Sequence, residues 1–141
     1  MKKIILLVAA LASILFAKSV ELATPPDHKD GVNHLELVLI LDKSGSMSGL
    51  ESDTIGGFNS MIEKERKEGI DASVTTVLFD TKFNVIHDRT PLAKVENLTS
   101  KEYYAGGNTA LLDAIGSTIA RIERVPDIYA KNNRVLFVII T

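Results

Sequence analysis

Apolar residues along this chain fall in tight runs separated by polar stretches with helical spacing. Leu35–Leu41 (LELVLIL) is nearly all apolar and ends at Asp42. Such a run suits a strand covered on both faces, as in a parallel sheet. From about Ser52, Ile55, Phe58, Met61 and Ile62 fall on one helical face, Glu63 and Lys67 pair on the other, and Gly69 is a natural stop. Ala72–Phe79 is β-branched and alternating, which predicts a strand. Asp80-Thr81-Lys82 is a short turn into a second strand, Phe83–His87, and so tight a connection makes the pair antiparallel. Thr99-x-x-Glu102 is a capping box that predicts a short helical turn around Tyr103. A second helix follows Gly106-Gly107-Asn108, with Leu112, Ile115, Ile119 and Ile122 expected on its buried face and Pro126 ending it. Val135–Ile140 (VLFVII) is a last apolar strand. The order β-α-β-β-α-β predicts an open, doubly wound (Rossmann-like) α/β sheet, mostly parallel with one antiparallel edge strand.

The N-terminus reads differently. Lys2-Lys3 is followed by Ile4–Ala17, apolar except for Ser13. As a helix it would span about 21 Å, short of the roughly 30 Å hydrocarbon core. A basic start, a short apolar stretch and the small residues of Ala17-Lys18-Ser19 describe a secretory signal peptide, residues 1–19, cut after Ser19. A cut after Ala17 is the second choice, and an uncleaved anchor or a buried strand is the alternative. Residues 20–34, with Pro25-Pro26 and Gly31, form a linker, and residues 35–141 form the domain.

Composition narrows the chemistry. The 141 residues allow one domain. Zero cysteine excludes disulfides, thiolate metal sites and a cysteine nucleophile. The net charge is −2, and removing Lys2, Lys3 and Lys18 from the 16 basic residues leaves 13 against 18 acidic, net −5. That balance gives no electrostatic case for nucleic acid and little for a membrane once the signal is gone. The expected location is the periplasm or the exterior.

Ligands of open α/β sheets bind at the carboxyl ends of the strands. There, Asp42-x-Ser44-x-Ser46 presents three oxygen side chains within five residues, with no nitrogen or sulfur donor nearby. The set suits a hard cation, Mg²⁺ first, then Mn²⁺ or Ca²⁺. The alternative is a serine-rich turn bonding its own backbone. The segment is not a nucleophile elbow, because Met47 sits between Gly45 and Gly49, and it lacks the glycines and lysine of a phosphate loop. His28, His34 and His87 sit in no triad motif.

Leu37-Val38-Leu39-Ile40-Leu41-Asp42-Lys43-Ser44-Gly45-Ser46-Met47 resembles the first motif of a von Willebrand factor A domain, whose D-x-S-x-S builds a metal-ion-dependent adhesion site. Gly106-Gly107-Asn108-Thr109-Ala110-Leu111-Leu112-Asp113-Ala114 is similar to the second motif, with Thr109 at the ligand position. Gly56-Gly57-Phe58-Asn59 resembles the first helix of bacterial members, and close backbone packing is the expected reason for two glycines there. The resemblance implies that Ser44 and Ser46 bind the metal directly, Asp42 through water, and Thr109 directly or through water. It implies a binding module and not an enzyme, whose protein partner donates a carboxylate to the open position. The alternatives are a metal-free scaffold or, further off, a metal-assisted hydrolase using Asp80 or Asp113. Thr109 also has the plainer reading of a helix N-cap.

The family's third motif, an aspartate after the fourth strand, would follow Thr141. By resemblance the sheet order is 3-2-1-4, a C-terminally truncated form of the family fold. Val135–Ile140 is then expected as an exposed edge that recruits other chains.

Overall fold

The computed structural model describes residues 4–9, 34–130 and 132–141. The cleavage positions at Ala17 and Ser19 and nearly all of the expected linker lie outside the described residues. Five strands, β1 (Ile4–Ala9), β2 (His34–Asp42), β3 (Ala72–Phe79), β4 (Phe83–Pro91) and β5 (Asn133–Ile140), and two helices, α1 (Glu51–Lys67) and α2 (Leu111–Glu123), make up the architecture. The sheet order is β1-β5-β2-β3-β4. All pairings are parallel except β3–β4, so the protein is an α/β fold with a mostly parallel mixed sheet.

The apolar run of β2 is explained by its place between β3 and β5 with a helix on each face. Leu35, Leu37, Leu39 and Leu41 meet Phe58 and Ile62 of α1. Val38 and Ile40 meet Ala114 and Ile122 of α2 together with Phe137 and Ile139 of β5. Helix α1 ends at Gly69, whose φ of +69° is the left-handed conformation that glycine adopts without a Cβ clash. The segment after β4 is laid across α1 by side-chain clamps. Asn59 donates from Nδ2 to the Leu98 carbonyl at 2.9 Å and accepts from the Leu98 N–H at 2.8 Å. Arg66 donates to the carbonyls of Leu92 and Val95. The Thr99–Glu102 capping box closes as expected, with the Glu102 carboxylate accepting from the Thr99 N–H at 3.0 Å.

Several expectations are corrected. Val135–Ile140 is not a free edge in the intact chain: β1 pairs along it, from Ile4 with Val135 to Ala9 with Ile140. The expected self-association through that edge therefore has its own chain as a competitor. Leu112 is 83% exposed; the buried face of α2 is Ala114, Thr118 and Ile122, with Ile115 and Ile119 partly buried. At 100° per residue Leu112 lies about 120° round the helix from the centre of the face formed by Ala114, Thr118 and Ile122, which turns it outward. Gly56 and Gly57 do not serve close packing, because a Cβ at either would meet nothing within 4 Å. The second hairpin strand runs on to Pro91, which places His87 mid-strand, its ring stacked on Phe58 and hydrogen-bonded to Thr76.

Candidate functional site

At the carboxyl end of β2 the chain leaves the sheet through Lys43 into a single 3₁₀ turn, Gly45–Met47. Asp42 and Ser44 are each 1% exposed, whereas Ser46 lies at the surface. Asp42 is held from three directions. Its Oδ1 accepts from the Ser44 N–H at 2.8 Å, and its Oδ2 accepts from the Thr141 hydroxyl at 2.8 Å. Its backbone carbonyl accepts from the Tyr103 hydroxyl. Burial pushes the Tyr103 phenol up from its ordinary value, with the Thr54 hydroxyl opposing and the charges of Asp42 and Glu51 adding. Tyr103 is therefore a neutral donor at any ordinary pH.

Ser44 Oγ and Ser46 Oγ share a hydrogen bond at 2.9 Å. On an octahedral cation with oxygen ligands at 2.0–2.1 Å, neighbouring ligand atoms stand about 2.9 Å apart. The two hydroxyls thus have the spacing of one edge of such a shell, and each keeps a lone pair. A carboxylate also has acceptor capacity beyond two hydrogen bonds. The residues present are compatible with Mg²⁺ in donor type and spacing.

The loop carrying Thr109 is locked against this turn by its backbone. Gly45 N–H donates to the Gly107 carbonyl at 3.0 Å, and Gly106 N–H donates to the Lys43 carbonyl at 2.8 Å. Gly107 has φ +77°, and a Cβ there would lie 2.8 Å from Thr81 Oγ1. Both facts require glycine at 107, whereas a Cβ at Gly106 would meet nothing within 4 Å. Thr109 is exposed and is not the N-cap of α2; Ala110 holds that position, without a side-chain cap. The plainer reading of Thr109 therefore fails. Its loop is brought to the Asp42–Ser46 turn by backbone contacts, while its side chain makes no hydrogen bond recorded among the described residues.

Asp80 ends β3 beside the site. The Lys82 N–H holds its carboxyl below the usual range, burial opposes, and Lys43 lowers it further through an Nζ–Oδ2 contact of 3.0 Å. Lys43 also lies 4.3 Å from the centre of the Tyr104 ring. Asp113 is exposed in the first turn of α2. Tyr103 and Thr141 are the positioning residues that sequence reasoning did not assign. A tyrosine directly after a capping box, with no apolar periodicity to explain it, is the signal that could have found the first. Among the described residues no three His, Cys, Asp or Glu side chains converge on one point.

No protein-family model matches the chain, and no curated protein matches it. The family resemblance therefore rests on the sequence motifs at 37–47 and 106–114 alone.

Proposed function

We propose that this chain is an exported protein-binding module of the von Willebrand factor A type. It holds a divalent cation, Mg²⁺ or else Mn²⁺ or Ca²⁺, with Ser44, Ser46, Asp42 and Thr109, and a partner protein completes the shell with a carboxylate. The observation that carries the reading is the pair of serine hydroxyls 2.9 Å apart beside a buried, fully oriented aspartate. Binding rather than catalysis is favoured because Asp80 is tied to Lys43 and held in its weakly basic ionised form, which makes it a poor proton acceptor. Among the described residues no helix is long and apolar enough to cross a membrane.

One carboxylate against a dication is poor charge compensation, so affinity should be weak, with Kd about 10⁻³ M. Titration calorimetry with Mg²⁺ and Mn²⁺ tests this. Asp42→Asn should abolish the heat, and Thr109→Ala should weaken binding several-fold while leaving the melting temperature unchanged. Binding that persists in Asp42→Asn would defeat the proposal.

A second reading is a metal-free scaffold of the same fold. It is favoured by one observation: both Asp42 carboxylate oxygens already have protein donors, and the serines satisfy each other. Partner retention that is unaffected by chelator would select it.

A further inference from the structure

We propose that the outer edge of β5 is an acceptor for an extended aliphatic strand running parallel to it, and that residues 4–9 are its removable occupant. The register is unbroken for six residues, Ile4 with Val135 through Ala9 with Ile140. On its other side β5 pairs with β2, also in parallel, through Leu41 with Ile140. A strand of the sheet interior therefore has its second side filled by a segment from far away in sequence.

Two features make that occupant separable. Among the described elements β5 is the only one that β1 packs against extensively. Residues 10–33 join β1 to β2, and 24 residues can span up to about 80 Å, so β1 can leave without pulling on β2. The chemistry of the occupant is uniform: Ile-Ile-Leu-Leu-Val-Ala carries no charge, proline or glycine. An edge with this demand accepts aliphatic, β-forming peptides through main-chain hydrogen bonds. The inference does not depend on the cation site.

Amide hydrogen exchange on the full chain tests it. In a strand paired on both sides, successive N–H groups point to alternate neighbours. Leu6→Pro/Leu7→Pro removes a donor whichever of the two faces β5, because proline is tolerated only where the N–H points away. Alternate amides within 135–140 should then exchange at least tenfold faster, while those of β2, β3 and α1 stay protected. A synthetic peptide of residues 2–11 should restore protection, and the same peptide with both prolines should not. Unchanged exchange in the double variant would overturn the proposal. So would loss of protection throughout β5 that the peptide fails to restore. Retained protection with a dimer on size exclusion would also overturn it, because a second copy would then hold the edge.

Discussion

The two ends of β2 handle a buried acid in opposite ways. Glu36 and Asp42 lie on the same face of one strand, and each is 1% exposed. Glu36 is neutralised from within. Arg89 Nε donates to its Oε1 at 3.1 Å, and His34 Nε2 stands 3.3 Å from the same oxygen. Arg89 reaches it from a left-handed backbone, φ +47°, at the irregular stretch of the β3–β4 ladder. Its N–H is fixed there by the Thr75 hydroxyl at 3.1 Å. Asp42 meets a backbone N–H and a hydroxyl, both neutral, while the neighbouring Lys43 turns away to Asp80. A buried charge without an internal counter-charge is costly unless hydrogen bonds or an external ion compensate. Among the described residues the fold supplies a permanent cation at one end of the strand and neutral donors at the other. That asymmetry supports placing a cation site at Asp42.

Breaking the ion pair at the Glu36 end should have the largest effect. Arg89→Met leaves Glu36 buried and unpaired, with Oε2 already lacking a hydrogen-bond partner. The expected loss is about 3 kcal/mol, at the low end for buried pairs because Arg89 is partly exposed. Glu36→Leu added to it should recover most of that loss in urea denaturation. Equal destabilisation of the single and double variants would show that packing, not charge, governs this end.

At the Asp42 end, where neutral donors hold the acid, the effect should be smaller. Tyr103→Phe strands a buried carbonyl and should cost about 1–2 kcal/mol, measured in the same way. It should also weaken Mg²⁺ binding if the turn loosens. A loss as large as that of Arg89→Met would remove the contrast between the ends.

The smallest response comes from the opposite face of the sheet and serves as a control. Burial lowers the His87 pKa below its ordinary 6.5, with the Glu96 charge opposing. The fold thus prefers the neutral ring. That contribution is complete above about pH 6.5 and is lost as pH falls through 6.5 toward the lowered value. His87→Phe keeps a ring against Phe58 and should flatten the stability profile between pH 7 and 5. An unaltered slope would assign the acid sensitivity to groups other than His87.

β2, β3 and β5 were legible because runs of apolar and β-branched residues fill them, and β4, which has no fully buried residue, through the short turn before it. The hairpin turn was legible from Asp80, whose side chain accepts from the Lys82 N–H at 2.8 Å. Helix faces were read less well. Leu112 fits the spacing to Ile115, Ile119 and Ile122, yet the face that α2 buries is centred on Ala114, Thr118 and Ile122, about 120° round the helix from it. The Asp42, Ser44 and Ser46 turn could be read as a motif. The clamps that orient it could not, because Tyr103 and Thr141 lie 61 and 99 residues away from Asp42 and only the folded sheet brings them there. Glu36 was read only as part of an apolar run, and nothing in the spacing pointed to Arg89, 53 residues away, as its partner.

The pairing of Ile4 with Val135 also has a consequence in time. The two partners are separated by 131 positions, so β1 is made well before its acceptor. At roughly 5–20 residues per second, the interval is about 7–26 s. Throughout it, the sheet edge that fits the nascent apolar segment does not yet exist. Any export machinery that reads such segments meets this one before the sheet can. Being read as a signal and being folded as a strand are therefore successive opportunities for the same six residues, and the rate of synthesis sets the order in which they arise.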